Sequence, residues 1–226
     1  MSFDDALRLT EILLGLVFLQ QCAEHLKGTV SEQVIYIPRA LLSGLLVFGF
    51  FTSWICLGLW FIALAQLHRF QGPYNGGSDR MSHLVLSILT LTHFLPEQQW
   101  KELAFGYLAL QLTLSYFISG WVKVVNPEWR AGQALQDVFR YSAYPVSEQV
   151  RGWADHPRLL LVMSWSVILF ELAFPLSLLS QPTLIVGLVI AATFHFTNAC
   201  LFGLNRFFWI WLTAYPSILW LQDRIF

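Results

Sequence analysis

Apolar stretches recur along almost the whole chain, at roughly 7 to 27, 37 to 67, 81 to 95, 103 to 125, 158 to 180, 183 to 204 and 207 to 222. A bilayer core takes about 20 residues of helix, so five of these stretches read as clear spans and two as doubtful ones. Of the 226 residues, 56% are hydrophobic and only 12% charged, and the charged share is well below that of an ordinary soluble domain. The expectation is an all-α integral membrane protein, a bundle of about six transmembrane helices within a range of five to seven. Strand-like alternation in ten-residue segments is absent, which argues against a barrel.

Two stretches need interpretation. The one from 37 to 67 is too long for one untilted span and too short for two joined by a loop, so it is either one long tilted helix or is broken near Thr52 and Ser53. The one from 81 to 95 is short, ends at Pro96 and extends back toward Ser78. The N-terminus, MSFDDALRLTEILLG, is acidic and has no basic region before its apolar run, so the first helix is expected to stay rather than be cleaved as a signal peptide. Residues 1–226 read as a single transmembrane domain without a separate soluble domain.

The longest polar stretch, 126 to 157, is expected to contain one or two short interfacial helices. Asn126 can cap, Pro127 suits a first turn, and Glu128 places an acid at the positive helix end. Leu135, Val138 and Phe139 then form an apolar stripe that is interrupted at Tyr144-Pro145. Arg130, Arg140, Arg151 and Arg158 place this segment on the cytoplasmic side by the positive-inside tendency. Several of the ten tryptophans, among them Trp100, Trp121, Trp153 and Trp220, fall near span ends, as interfacial belts do.

Net charge is −1, with no basic tract and no zinc-finger spacing, so neither nucleic acid nor a metal site is expected. Cys22, Cys56 and Cys200 lie inside apolar stretches without a C-x-x-C pair. They read as small buried hydrophobes rather than a disulfide shuttle.

The few polar residues within the spans are ordered. Gln111, Ser115, Ser119 and Lys123 recur every four residues and so share one helix face. Asp79, His83, Ser87 and Thr90 form a second stripe, and His195, Asn198, Phe202 and Asn205 a third. Glu11, Gln21 and His25 in the first helix and the mid-span Glu171 complete the set. In hydrocarbon an unpaired polar group is costly, so these faces should turn toward each other or toward a cavity. Taken singly, Ser87, Thr90, Ser115 and Ser119 can be interhelical glue. Lys123 is near a helix end and could snorkel, or could be held inside for chemistry. The loop FQGPYNGGSDRM, 70 to 81, demands tight turns; Ser78 or Asp79 can cap the helix after it, and its glycine pair could also cradle an anionic group.

Three segments together resemble the HTTM family: YNGGSDRM after an apolar helix, SGWVKVVNPEWRAGQAL at a helix end, and HFTNACLFGLNRFFW near the C-terminus. This is the membrane domain of the vitamin K-dependent gamma-glutamyl carboxylases and their bacterial relatives, and the chain looks like a bacterial short form. In the animal carboxylases a lysine in the segment matching GWVKVVNPEW is the weak base that deprotonates reduced vitamin K. The resemblance thus implies a catalytic role for Lys123, and places His195 and Asn198, the family's H-x-x-N, in the same site. It further implies a quinone (menaquinone, ubiquinone or a vitamin K-like molecule) as cofactor, with Trp129, Asp79, Tyr74, Asn75, Gly76 and Gly77 as its binding residues. The chain departs from the animal pattern in two places. Lys123 is one residue further from Trp129, and the family's loop histidine falls on Gly76 or Gly77, leaving His83 as the candidate substitute.

The function implied is a quinone-using oxidoreductase or carboxylase-like enzyme of the bacterial inner membrane, in contact with lipid. The alternative is a non-catalytic membrane subunit or maturation partner of a redox or export complex, paired with a thiol-disulfide oxidoreductase-like protein of the DCC type. A transporter is disfavoured, since no inverted repeat or pair of broken helices is visible.

Overall fold

Apolar sequence this dense must satisfy its backbone hydrogen bonds internally, and it does so as helix. A computed structural model describes residues 1–25, 29–68, 76–142 and 147–225, and contains no strand among them. The helices are α1 (Phe3–His25), α2 (Val30–Phe48), α3 (Thr52–His68), α4 (Gly76–Phe94), α5 (Gln98–Val125), α6 (Pro127–Arg130), α7 (Gln133–Tyr141), α8 (Glu148–Arg151), α9 (Pro157–Ala173), α10 (Gln181–Phe202), α11 (Asn205–Leu212) and α12 (Tyr215–Ile225). Two 3-10 segments, Gly152–Asp155 and Phe174–Leu179, complete the described elements.

Four described helical stretches are long and apolar enough to cross a membrane: Phe3–His25, Gln98–Val125, Pro157–Leu179 and Gln181–Phe202. By that measure alone the expected six are not reached, and two of the apolar stretches show why. The stretch from 37 to 67 is broken, with Gly49 in the left-handed conformation closing α2 and α3 starting at Thr52. The stretch from 207 to 222 is not one helix either. Pro216 has no N–H to continue the ladder, and the chain turns at Thr213 and Ala214 between an 8-residue α11 and an 11-residue α12. At 1.5 Å per residue neither reaches across a hydrocarbon core of about 30 Å.

Contacts group the chain into two compact units, Met1–Ala109 with Trp209–Ile225, and Leu110–Phe208. In the first unit α1 packs along α2, and α3 links α2 to α4. Its polar centre is Glu11, 2% exposed, which accepts from Arg8 at 2.7 Å and bonds His93 Nε2 at 2.6 Å.

In the second unit the interfacial segment is as ordered as the caps suggest. Asn126 accepts from the Glu128 N–H at 2.8 Å, Pro127 opens α6, and α7 follows. Gly132 makes the corner between α6 and α7. Its φ is +77°, and a β-carbon there would stand 2.9 Å from the α-carbon of Leu161, so only glycine lets α7 start against α9. The expected stripe on α7 then buries Phe139 against Ala154, Leu160 and Phe202, with Leu135 packed on the same cluster. Tyr144-Pro145 lies outside the described residues.

Candidate functional site: an ion pair on the wall of an apolar cavity

The stripe on α5 is built as its spacing requires, one residue every turn. Ser115 returns its hydroxyl to the Gln111 carbonyl at 2.6 Å, so the lower part of the stripe satisfies itself. The upper part does not, and reaches instead to α9. Lys123 Nζ donates to both carboxylate oxygens of Glu171, at 2.6 and 2.9 Å, and to the Ser119 hydroxyl, which itself donates to Glu171 at 3.1 Å. The side chains of Lys123 and Glu171 are 14% and 4% exposed. Lys123 is therefore an inward-facing partner, and the snorkelling alternative is not what the structure adopts.

This meeting depends on Gly120, one helical turn before Lys123. A β-carbon at Gly120 would lie 2.8 Å from the Leu172 nitrogen and 2.9 Å from the Glu171 β-carbon. The two helices touch through backbone at that level, which is what small residues permit in packed spans. The pair carries no net charge whether the shared proton sits on nitrogen or on oxygen, which removes most of the cost of burying either ion alone.

Trp129 covers the amine from the other side, its ring centroid 5.3 Å from Nζ and within cation–π reach. Its position is fixed from α9. The Ser164 hydroxyl donates to the Trp129 carbonyl at 2.6 Å, and the Trp165 indole N–H donates to the Arg130 carbonyl at 3.1 Å. These carbonyls end a four-residue helix, and that of Trp129 also accepts from the Gly132 N–H at 3.0 Å.

Lys123 and Trp129 line a cavity of about 520 Å³ whose other walls come mainly from α7, α9 and α10. Its walls are largely aliphatic and aromatic, and Lys123 is the sole charged side chain among the described lining residues. Three of the hydroxyls on the walls are already engaged: Ser166 donates to Val162, Thr193 to Val189 and Thr197 to Thr193, each back to its own helix. Asn198 also lines this space. The volume lies within the range of about 300 to 1,000 Å³ usual for small-molecule sites.

His195 is placed beside this cavity, not on its wall. It is 1% exposed, bonds the Tyr116 hydroxyl at 2.7 Å through Nε2, and contacts the rings of Phe194 and Phe207. Of the predicted site residues, the structure thus brings Lys123, Trp129 and Asn198 together, with His195 behind them. Gly76, Gly77, Asp79 and His83 belong to the first unit, where α4 already begins at Gly76. Ser78 and Asp79 consequently sit in the first turn, not at the cap that the sequence suggests; the Ser78 carbonyl accepts from Ser82 at 2.8 Å. His83 is half-buried. Tyr74 and Asn75 lie outside the described residues.

Two neighbours of these side chains were less visible in the sequence. Glu171 is the lone acid of an apolar helix, a signal that marks it as special but does not name Lys123 as its partner. Tyr116 carried no signal at all. No cluster of three or more metal-ligating side chains occurs among the described residues.

Residues 92–222, more than half of the chain and all of the Lys123 site, match the HTTM domain family. The chain is a member of the HTTM family. Neither the curated proteins nor the solved structures include a match to it. The family suggests a vitamin K-dependent carboxylase-like membrane domain for this HTTM chain, in keeping with its four apolar helices.

Proposed function

We propose that this HTTM protein binds a quinone-type amphiphile in the cavity of its second unit and uses Lys123 to handle a proton on it, in an oxidoreductase or carboxylase-like reaction at the bacterial inner membrane. One observation carries the reading: the ionisable side chain of Lys123 lines an apolar cavity of about 520 Å³. The residues present suit such a group. Aliphatic and aromatic walls take a ring and an isoprenoid tail, while Lys123 and Asn198 supply polar contacts.

When bound, a quinol supplies an acidic hydroxyl and two-electron chemistry. The chain's residues supply the rest. Transfer of one proton from Lys123 Nζ to Glu171, across 2.6 Å, leaves a neutral amine, the form a general base requires. Glu171 and Ser119 orient that amine, and Trp129 shields it. Asn198, on α10 and among the lining residues, would hold a polar head by hydrogen bonds.

The test is solvent extraction of the purified protein followed by mass spectrometry of the extract. The reading expects a quinone in near-stoichiometric amount, and Lys123→Ala should abolish quinone-dependent turnover while leaving the protein folded. Absence of quinone across several gentle detergents would overturn it. Gly76 and Gly77, which stand where the animal enzymes carry a histidine, favour a second reading, a non-catalytic membrane subunit. Co-purification of a thiol-disulfide oxidoreductase-like chain without quinone-dependent turnover would support that reading.

A further inference from the structure

The cavity has a side opening, and the opening matters because of what lies outside it. Val189 and Ile190 line the cavity yet are 60% and 46% exposed, and they sit near the middle of the 22-residue α10. A mouth at that depth in an apolar span faces acyl chains, so whatever enters comes from the bilayer and competes there with phospholipid. An unpaired ammonium inside such a mouth would collect anionic headgroups, since charge-assisted bonds to phosphate or carboxylate are among the strongest available.

The structure does not leave Lys123 in that condition. Glu171 places both carboxylate oxygens on Nζ, and Ser119 adds a third bond. An ammonium has three N–H donors, and these contacts can take all of them. No second cation is present among the described residues of the cavity wall. An anionic head brought to Lys123 would meet the Glu171 carboxylate at close range in a medium of low dielectric, where like charges repel strongly.

We infer that Glu171 sets the head-group specificity of the cavity, admitting amphiphiles with an uncharged polar head and excluding anionic lipids. The inference rests on the proposed ligand site and narrows its substrate class. A neutral head meets a pair without net charge, and can hydrogen-bond to it without displacing either partner. Glu171 is in this respect a positioning and specificity residue; the group that meets the ligand is Lys123.

Two probes with one tail separate head charge from everything else: oleyl alcohol and oleyl phosphate. Their binding to the full chain in phosphatidylcholine nanodiscs can be read by native mass spectrometry, with decylubiquinone measured alongside. The wild-type protein should favour the alcohol over the phosphate by at least about tenfold. Glu171→Gln should lose that preference or invert it, because the charge of Lys123 is then uncompensated. Lys123→Met/Glu171→Met, which removes both charges, should favour the alcohol again. Equal binding of the two probes to wild type would overturn the inference without any variant having to fold, and so would a Glu171→Gln protein whose preference is unchanged. Failure of decylubiquinone alone to bind, with alcohol still favoured over phosphate, would instead overturn the quinone reading and leave this one standing.

Discussion

Gly120 and Leu172 approach so closely that a β-carbon on the first would stand 2.8 Å from the backbone nitrogen of the second. Backbone cannot step aside as a side-chain tip can, so Gly120→Ala must push α5 from α9 at the level of Glu171. Over-packing of this kind costs about 1 to 3 kcal/mol, more than the ~1 kcal/mol of helix propensity that alanine regains. The expected result is a lower Tm in detergent and a weakened Lys123–Glu171 pair. Gly44→Ala is the control, because a β-carbon there meets nothing within 4 Å. It should be neutral or slightly stabilising, and a Gly120→Ala protein with the same Tm as Gly44→Ala would contradict the packing argument.

Ser164 reaches Trp129 through its carbonyl, and the consequence should be local. Ser164→Ala removes the bond from α9 to that carbonyl, which keeps the Gly132 N–H at 3.0 Å, so the cost is that of one hydrogen bond, about 0.5 to 1.5 kcal/mol, and α6 is held less firmly against α9. Hydrogen exchange of peptides spanning residues 126–135 should accelerate. Ser166→Ala, two residues on, removes only a bond to its own helix, to Val162, and should leave those peptides unchanged. Equal acceleration in both variants would mean that Trp129 is held by something other than Ser164.

The buried bond between Tyr116 and His195 yields a prediction that sorts structural from ligand-binding roles. Tyr116→Phe removes the hydroxyl at 2.7 Å from His195 and should lower stability by about 1 kcal/mol. Neither residue lines the cavity, so retention of bound amphiphile should stay near wild type in Tyr116→Phe and fall in a variant that fills the cavity, Thr193→Trp. Loss of ligand in Tyr116→Phe would place His195 in direct service of the site.

What could be read from the sequence follows a physical line. Spacing within one helix reports which side chains share a face, and the four-residue recurrence of Gln111, Ser115, Ser119 and Lys123 made that face plain. The capped start at Asn126 and the stripe of Leu135, Val138 and Phe139 were legible for the same reason, since caps and amphipathic periods are local. Spacing says nothing about which helix a face will meet. Glu171 lies 48 residues from Lys123, and the one local hint of their meeting was a glycine between Ser119 and Lys123. The apolar run from 207 to 222 misled for a related reason. Hydropathy averages across a turn, and Pro216, the residue that breaks the helix, is itself compatible with an apolar window. The candidate residues around YNGGSDRM were chosen on a polar stripe, a glycine pair before a helix and the resemblance together, and Gly76, Gly77, Asp79 and His83 fall in a different unit from Lys123.

Glu11 offers a last prediction, in the first unit, where the comparison is between a charge fully paired and the same charge stripped of a partner. Its side chain is 3% exposed and is bonded by Arg8 at 2.7 Å and by His93 at 2.6 Å. Arg8 also donates to the Leu46 and Val47 carbonyls in the last turn of α2, the first of which it shares with the Gly49 N–H. One guanidinium thus ties the close of α2 to α1, and one carboxylate ties α1 to α4. Removing one member of a buried ionic set is strongly destabilising, about 3 to 5 kcal/mol, because its partner stays buried and unanswered. Arg8→Met should be the most damaging single change, since it takes the guanidinium from the buried carboxylate and a bond from each of two carbonyls at once. Glu11→Gln keeps hydrogen-bonding capacity and should cost less. The double variant Glu11→Gln/His93→Gln should cost clearly less than the sum of the two single changes when unfolding is followed in detergent. Strict additivity would show that Glu11 and His93 do not act as a pair, however short their bond.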